Sequence, residues 1–461
     1  MKQRPIVLVH GYSDKGESFK RWCSELNKVG YDMTELNVCS YESLTNEVTI
    51  KDVGEAFDRA LKLQAHIQPD KAFDAIVHST GMLVVRAWLT GRDRSRISRL
   101  KHLVALAPAT FGSPLAHKGR STLGSIFKGN RAVGPDFLEA GDLILDGLEL
   151  ASRFQWELTH QDVLNATPVY GDGPDTPWVF TFCGTEAYSG LRRLVNAPGT
   201  DGTVRWAGCS LSCRKVDLDL TRPSTERRVL FDSWKHVAAP TVFVKGLTHA
   251  TIMSDPPPEL VQLVTAAFEV NSNDDYTAWQ TRAATVSHEH DLVTSGRAYQ
   301  QFVVRAVDER GDPVSDYHVE VFTRGGDPNG RQKIIEAFDD DPHPYAADKS
   351  LRCFHVNLAN VVREELKDLW LRVIVSSGSK LVAYQGYGTN AGARPEVREV
   401  GGESSDDEGS TELEIDLTEH LPQGPGTDFF APFTTTLVQI RFNREPFPFE
   451  GATKLLRWLP A

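Results

Sequence analysis

The sequence predicts an α/β domain with a mostly parallel, doubly wound sheet, followed by a second domain that is all β. Up to about residue 270, short apolar runs alternate with segments of helical periodicity, as in a parallel sheet covered by helices. A polar joint at 271–275 ends this pattern, and short strands separated by turn residues follow it. A chain of 461 residues is also too long for one ordinary hydrophobic core, so two or three domains are expected from its length.

Five short apolar segments bounded by turn residues are the predicted strands of the first domain, which we place at residues 1–285. Their lack of polar alternation indicates strands buried on both faces. Helical spacing at 52–65 and 82–89 predicts two helices between them, and 258–270 is the predicted closing helix. The predicted strands are 6–9, 74–77, 103–106, 178–182 and 241–244.

Residues 112–175 interrupt the alternation of strands and helices. This stretch begins rich in Gly and Ser and continues with an amphipathic segment at 136–154, where leucines recur at helical spacing. Two interpretations are open at this point. The stretch is either helical decoration of the sheet or a cap over the functional site, because long insertions in compact domains are often functional.

The second domain, placed at residues 295–461, is predicted to be a β-sandwich of the immunoglobulin-like kind. It is either a stabilising appendage or a module that targets a membrane, a lipid or a protein. The aromatic stretch 429–433 is expected either to contact lipid or to be buried against the first domain, and aromatic clusters are more often buried. The predicted strands are 301–307, 317–322, 352–356, 369–375, 413–417 and 435–442.

Composition and charge exclude some classes of function. The net charge of −12 argues against nucleic acid as a partner. The first residues lack the apolar core of a secretory signal, and no window reaches the roughly 20 apolar residues of a membrane-spanning helix. The scattered cysteines favour reduced thiols, so a cytoplasmic location is expected, with signal-less export left open. Cys209 and Cys213 have no second pair of ligands at zinc spacing, so no metal site is expected.

Residues 75–81 (Ala-Ile-Val-His-Ser-Thr-Gly) hold the first candidate for a chemical role. A strand ends, Ser79 follows, and a helix starts at once, which is the context of a nucleophile elbow. Such a turn lifts the hydroxyl clear of the sheet, and the amides at the helix start favour developing negative charge. A Ser-x-Gly tripeptide alone is weak, since most are simple helix caps, so its significance depends on the rest of the chain.

Four segments together resemble the lipase/esterase branch of the α/β-hydrolases. They are 7–12 (Val-Leu-Val-His-Gly-Tyr), 77–81 (Val-His-Ser-Thr-Gly), 106–116 (Leu-Ala-Pro-Ala-Thr-Phe-Gly-Ser-Pro-Leu-Ala) and 199–204 (Gly-Thr-Asp-Gly-Thr-Val). The last is similar to the segment that carries the acid in lipases related to lecithin:cholesterol acyltransferase. The likeness spans roughly residues 5–255 and leaves the β-rich part of the chain uncovered.

The resemblance implies an α/β-hydrolase catalytic domain that cleaves carboxylic esters through an acyl-enzyme on Ser79. It also implies an oxyanion hole formed by the backbone amides of Tyr12 and Thr80, each donor contributing about 3 kcal/mol. No metal and no cofactor are implied. The expected partner is an acyl ester or lipid, with transient membrane contact and the oligomeric state left open. The chain departs from the family at Val77, where Gly or Ala is usual, and a β-branched side chain there crowds the elbow.

Asp201 is the candidate acid because it follows the predicted strand 178–182 in a turn flanked by glycines. The alternative role for such a residue is a local turn, which Asp-Gly favours. Two rivals, Asp217 and Asp219, alternate with apolar residues and are expected at the surface. The loop position therefore favours Asp201.

His249 is the candidate base. It follows the last predicted strand of the first domain and precedes the closing helix. The chain order of nucleophile, acid and base is then the order found in α/β-hydrolases. His78, directly before the candidate nucleophile, is expected to pack or to form a hydrogen bond under the elbow instead of acting as the base.

Three classes of function are open from the sequence. The first is a lipase or esterase, including a phospholipase A or a lysophospholipase. The second is an acyltransferase that uses the same acyl-enzyme and excludes water. The third is a binding protein on a hydrolase scaffold, whose β domain contacts a partner or a surface. Four matched segments favour an enzyme over a binding protein.

Overall fold

A computed structural model gives the architecture of the chain as two units. The first unit comprises Met1–Cys213, Trp234–Tyr299 and Pro432–Thr435, and the second comprises Arg214–Ser233, Gln300–Ala431 and Thr436–Ala461. The structure describes residues 4–10, 19–31, 37–39, 47–64, 67, 71–116, 142–171, 175–189, 196–223, 226–235, 239–324, 333–335, 338, 342–361, 368–378, 382–387, 410–420 and 429–446.

Helices and strands alternate through the first unit, whereas the second unit is built from strands. The helices are α1 (Lys20–Lys28), α2 (Ile50–Leu63), α3 (Gly81–Leu89), α4 (Arg96–Arg99), α5 (Asp142–Leu148), α6 (Arg153–Gln161), α7 (Thr251–Ser254), α8 (Pro258–Ala267), α9 (Asn273–Val286) and α10 (Glu289–Thr294). The strands are β1 (Ile6–Val9), β2 (Asn37–Cys39), β3 (Phe73–His78), β4 (Leu100–Leu106), β5 (Trp178–Gly184), β6 (Cys213–Asp219), β7 (Val229–Phe231), β8 (Thr241–Val244), β9 (Tyr299–Asp308), β10 (Tyr317–Thr323), β11 (Lys333–Ile334), β12 (His343–Pro344), β13 (Leu351–Asn357), β14 (Trp370–Ser376), β15 (Val382–Gln385), β16 (Ser410–Asp416) and β17 (Thr435–Pro446).

The first unit is built on a six-stranded sheet in the order β2-β1-β3-β4-β5-β8. Every neighbouring pair in this sheet is parallel. Strands β1 and β8 are buried along their whole length, as expected for strands covered by helices. The predicted α/β fold with a parallel sheet is confirmed, and each of the predicted strands of this domain is present. Because the carboxyl ends of parallel strands share an edge, the loops after β1, β3, β5 and β8 meet there.

Helix α2 begins at Ile50, earlier than the helical spacing predicts, because a capping box fixes its start. Thr49 and Asp52 each accept a hydrogen bond from the backbone N–H of the other. The buried face of α2 packs on α3, where the rings of Phe57 and Trp88 meet edge to face with centroids 5.5 Å apart. This contact fixes the helix that follows the candidate nucleophile.

A buried ion pair anchors residues 142–171, the described half of the 112–175 stretch. Arg86 on α3 donates to both carboxylate oxygens of Asp162, at 2.7 and 3.0 Å, and both side chains are fully buried. The hydroxyl of Tyr170 also donates to Asp162, at 2.8 Å. Burial alone lowers the pKa of Arg86, but the charge and hydrogen bond of Asp162 outweigh it and raise that pKa, so the guanidinium stays cationic.

The anchored half of this stretch contains two helices that are tied to each other. Helix α6 starts at a Ser152 cap, whose hydroxyl accepts from the backbone N–H of Gln155. Gln155 in turn donates to the carbonyl oxygens of Gly147 and Glu149, which ties α6 to the end of α5. Residues 117–141 lie outside the part of the chain that the structure describes.

Replacing Asp162 by Asn is expected to lower the free energy of unfolding by about 3–5 kcal/mol, because it leaves the guanidinium of Arg86 buried without a counter-ion. Urea unfolding measures this change through the transition midpoint. Glu157→Gln, on α6, is the control because it removes only exposed ion pairs, with Arg153 and Lys51, and each is expected to contribute less than about 1 kcal/mol. Similar small losses in the two variants would contradict the assigned role of the buried pair.

The described strands of the second unit form two sheets that face each other. One sheet has the order β11-β10-β14-β16, and the other has the order β12-β13-β9-β17-β6-β7 with β15 paired to β17. Apolar side chains from both sheets line a shared cavity, among them Val304, Val319, Leu371 and Ile440. The pairs β10–β14, β14–β16 and β6–β7 are antiparallel. A C-terminal all-β domain of two packed sheets is therefore confirmed.

Two strands of the sandwich, β6 and β7, come from inside the range 1–285 that the sequence assigns to the first domain. Val216 and Leu218 on β6 point into the core between the sheets of the second unit. The alternating pattern of this segment therefore marks a strand with one face in an apolar core. Asp219 is buried at its end, not at the surface as predicted, because Arg222 and Arg441 pair with its carboxylate.

The aromatic residues of 429–433 are buried. Phe429 stacks on Phe302 with ring centroids 5.6 Å apart, and Phe430 is buried beside it. In the first unit, Phe433 packs against Phe243 with centroids 4.6 Å apart. The structure thus decides against lipid contact by these rings. Among the described residues, no helix has both the length and the apolar character needed to cross a membrane.

Candidate active site

The turn from β3 into α3 forms a strained elbow at Ser79. This residue has a φ of +53°, in the left-handed region that residues other than Gly seldom adopt. Two backbone hydrogen bonds hold it: its N–H donates to Leu106 O at 3.3 Å, and its carbonyl oxygen accepts from Ala109 N at 3.1 Å. The loop after β4 therefore fixes the conformation in which an elbow presents its serine hydroxyl above the sheet.

Gly81 lets the start of α3 approach the end of β1 closely. A Cβ atom at this position would lie 2.6 Å from the carbonyl oxygen of Val9, which no side chain can tolerate. Thr80, the N-cap residue of α3, is fully buried. The predicted oxyanion amide of Thr80 thus lies at the positive end of a helix, close to the carboxyl end of β1. Tyr12, the other predicted donor, lies outside the described residues.

Val77 does not prevent the elbow from forming. Its side chain is fully buried in β3, and its register partners in the neighbouring strands are Val9 and Ala105. The small side chain of Ala105 leaves room for a β-branched neighbour on the same face of the sheet. The small side chain of Ala105 on the neighbouring strand therefore accommodates the unusual Val77.

Asp201 and His249 form a buried carboxylate–imidazole pair. Asp201 Oδ2 lies 3.0 Å from His249 Nδ1, and the backbone N–H of His249 donates to the carbonyl oxygen of Asp201, also at 3.0 Å. The other carboxylate oxygen, Oδ1, accepts from the backbone N–H groups of Thr203 and Val204 at 3.0 and 2.9 Å. Since a carboxylate only accepts, Nδ1 carries the proton, and Nε2 is the nitrogen that can take up another.

The glycine Gly184, at the end of β5, allows the loop with the base to reach this pair. A Cβ atom there would lie 2.1 Å from the carbonyl oxygen of Leu247, so any larger residue would displace the loop. Beside it, Glu186 N donates to the same oxygen at 2.9 Å. The strand that leads to the acid thereby also supports the loop that carries His249.

The rival acids are on β6 and pair with basic side chains. Asp217 is engaged by Lys215 at 3.0 Å, and Asp219 by Arg222 and Arg441 at 3.1 and 3.2 Å. Each carboxylate is thus neutralised by a neighbouring cation. Of the three candidate acids, the described contacts bring only Asp201 to a histidine.

His78 supports the base from below, as the sequence analysis expects. Its Nε2 lies 3.1 Å from the carbonyl oxygen of His249, and the two rings lie 4.7 Å apart, centroid to centroid. A carbonyl oxygen only accepts, so Nε2 of His78 carries a proton and donates. Burial lowers the pKa of His78 well below its usual value, and the nearby His249 and His10 lower it further. His78 is therefore neutral and brings the base next to the elbow of Ser79.

Two features of the site were not predicted from the sequence. Cys183, on β5, places its thiol sulfur 3.7 Å from Asp201 Oδ2. Arg86 and Asp162 brace the helix that follows the elbow. A single Arg inside the apolar run of α3 is a readable signal of a buried ion pair, but nothing in the local pattern identifies its partner. The cysteine has no local signal, because Cys in a buried strand is most often a simple apolar residue.

No protein-family model and no curated protein matches the sequence. Among solved structures, the chain is similar to the phospholipase PlaB from Legionella pneumophila, with a TM-score of 0.74 and 19% identity. That alignment covers 98% of this chain and 97% of PlaB. The structure of the same protein in complex with thio-NAD gives a TM-score of 0.72, also at 19% identity, over the same shares of the two chains.

A lipase from Bacillus licheniformis, BlEst2 in its mature form, aligns with 55% of this chain and 88% of its own. Its TM-score of 0.36 and identity of 14% are too low to carry a conclusion. The likeness to PlaB, at its higher TM-score, establishes the fold. Together with the parallel sheet and the elbow, it shows that this chain combines an α/β-hydrolase fold with a C-terminal β domain.

Proposed function

We propose that this protein hydrolyses the carboxylic ester bonds of acyl lipids, with Ser79 as the nucleophile, His249 as the general base and Asp201 as the acid. The observation that carries the proposal is the buried pair in which His249 Nδ1 lies 3.0 Å from Asp201 Oδ2. The His78 ring, directly before the strained Ser79, packs on His249. A nucleophile, a base and an orienting acid in this chain order are typical of acyl transfer on this fold.

The mechanism follows from the roles of these groups. His249 Nε2 removes the hydroxyl proton as Ser79 Oγ attacks the ester carbonyl, and Asp201 stabilises the imidazolium that forms. The backbone amides of Tyr12 and Thr80 are the proposed donors to the oxyanion. Collapse of the tetrahedral intermediate transfers a proton from His249 to the leaving alcohol and leaves an acyl group on Ser79. Water, activated by the same base, then releases the carboxylic acid.

A phospholipase A or lysophospholipase is the substrate assignment that we favour within this class. PlaB, which aligns with nearly the whole of this chain, is named a phospholipase. The same acyl-enzyme would serve an acyltransferase if an alcohol replaced water in the second half-reaction. The two activities differ in product, so they separate without any change to the protein.

The experiment that tests the proposal follows acyl release from two sets of esters. The first set consists of p-nitrophenyl acetate, butyrate, octanoate and palmitate. The second consists of phosphatidylcholine and lysophosphatidylcholine, with free fatty acid as the product measured. We expect hydrolysis in both sets, with rates that rise from acetate towards the longer acyl chains. Hydrolysis of the acetate alone would contradict a lipid substrate and leave a small-ester esterase.

A fluorophosphonate probe separates an enzyme from a binding protein on the same fold, because it reacts only with an activated serine. We expect covalent labelling of the peptide that contains Ser79. An acyltransferase would be recognised by a new acyl ester when glycerol or another alcohol is added. If the probe does not label the protein and no ester is cleaved, a binding protein is the class of function that remains.

A further inference from the structure

We propose that the thiol of Cys183 is a positioning group for the acid, to which it donates a hydrogen bond at Asp201 Oδ2. The inference rests on the proposed function and adds a fourth side chain to the site. Cys183 is the penultimate residue of β5, the strand that leads into the loop of Asp201. Its side chain and that of Asp201 are both fully buried.

The thiol acts on the carboxylate oxygen that faces the base. Cys183 Sγ lies 3.7 Å from Asp201 Oδ2, within reach of a thiol hydrogen bond, and the same oxygen accepts from His249 Nδ1. The backbone amides of Thr203 and Val204 hold the opposite oxygen, Oδ1. Both ends of the carboxylate are therefore fixed, and the thiol opposes rotation about the Cβ–Cγ bond at the end where the base binds.

The surroundings keep the Cys183 thiol protonated. Burial raises its pKa well above that of an ordinary thiol, and the neighbouring Cys209 and Asp201 raise it further. A protonated thiol is a weak donor, and a carboxylate is the strongest acceptor within its reach. Cys209 Sγ lies 3.5 Å from Cys183 Sγ and 3.4 Å from the carbonyl oxygen of Arg205, so it contacts the first thiol and not the acid.

Loss of this donor changes the charge that the base experiences. Without the thiol, more negative potential remains on Asp201 Oδ2 beside the His249 ring, and the imidazolium is favoured. The base then holds its proton to higher pH, so the acidic limb of the kcat/KM profile moves upward. Among the described residues, the other histidines near the base are His78, in contact with its ring, and His10, which interacts with His78. Neither of them is altered by a change at Cys183.

The test compares pH profiles of kcat/KM for p-nitrophenyl butyrate across four proteins: wild type, Cys183→Ala, Cys183→Ser and Cys209→Ala. We expect Cys183→Ala to lower kcat/KM near neutral pH by about fivefold, the effect of losing a weak hydrogen bond that contributes about 1 kcal/mol, and to shift its acidic limb upward. Cys183→Ser keeps a donor at the same place, so its acidic limb is expected to stay near that of wild type. Cys209→Ala removes an equally buried thiol that does not touch the acid, and its limb is expected to stay in place.

Three outcomes would overturn the inference: an unmoved acidic limb in Cys183→Ala, an equal shift in Cys209→Ala, or a shift in Cys183→Ser as large as in Cys183→Ala. Thermal unfolding of each variant shows whether the substitution disturbs the fold. Cys183→Val, which fills the space of the thiol without a donor, takes the place of the Ala variant with the same expected shift if the Ala variant does not fold. A Ser79→Ala protein measured in the same assay distinguishes failure of the proposed function from failure of this inference. Equal rates there and in wild type would remove the proposed function together with this inference, whereas Ser79-dependent hydrolysis with unmoved limbs would remove the inference alone.

Discussion

Replacement of Ser79 by Ala is expected to lower kcat for ester hydrolysis by about 10⁶-fold, because no acyl-enzyme can form without the hydroxyl. The elbow itself should survive the change. Its two supporting hydrogen bonds involve only the backbone of residue 79, with Leu106 and Ala109 as partners. The positive φ of +53° strains Ala and Ser to a similar degree. The difference in conformational free energy between the two residues is expected to stay below roughly 1 kcal/mol.

The measurement is the steady-state rate of p-nitrophenyl ester release, with thermal unfolding of both proteins as the check on folding. Ser98→Ala is the matched control, since Ser98 is half-buried on α4 and its hydroxyl donates to the backbone carbonyl oxygen of Ser95. We expect wild-type rates in that variant. Undiminished hydrolysis and undiminished fluorophosphonate labelling in Ser79→Ala would place the nucleophile elsewhere.

Replacement of Asp201 by Asn is expected to lower kcat by about 10⁴-fold with little change in KM, through the wrong tautomer of the base. The backbone amides of Thr203 and Val204 require an acceptor at the Oδ1 position, so the amide oxygen of Asn takes that place. The amide nitrogen then faces His249 Nδ1 and donates to it. The ring proton moves to Nε2, which can no longer accept the proton of Ser79.

The comparison that tests this reasoning uses the rival acids. Asp217→Asn and Asp219→Asn alter carboxylates that pair with cations on β6 and β17, not with a histidine. Both variants are expected to hydrolyse esters at rates within about twofold of wild type once their folded fraction is taken into account, as for polar changes away from the reacting groups. A loss of about 10⁴-fold in either variant, with activity kept in Asp201→Asn, would reassign the acid.

Much of the first unit could be predicted from local patterns. The run at 241–244 has the bounds of β8, because both of its neighbours are turn residues. Strand β4 instead begins at Leu100, before the predicted 103. Lys101 interrupts the apolar run, but Leu100 still pairs with Phe73 on the far side of an irregularity in the ladder with β3. Hydrophobicity indicates which residues are buried, whereas hydrogen bonds to a neighbouring strand decide where a strand begins.

The second unit shows where local patterns are not sufficient. Its strands β10, β13 and β14 were predictable, because buried positions alternate with more exposed ones along much of each strand. Strands β9 and β17 were also predicted, although most of their described residues are buried. The membership of β6 and β7 was not, since alternation identifies a half-buried strand and not the sheet that it joins. A strand contributed by a distant segment pairs through backbone groups that every residue carries. The identity of its partner strand therefore cannot be predicted from its own residues.

By itself, the sequence determined the parallel α/β sheet, the elbow candidate at Ser79 and the loops that carry Asp201 and His249. Each of these features depends on residues that are close together in the chain. Only the tertiary structure decided which acid meets the base, and that the thiol of Cys183 lies 3.7 Å from that acid. It also decided that Arg86 pairs with a carboxylate on the following insertion. These contacts depend on where distant loops arrive at one edge of the sheet, and buried charges and donors are stable only with partners that the chain brings there by folding.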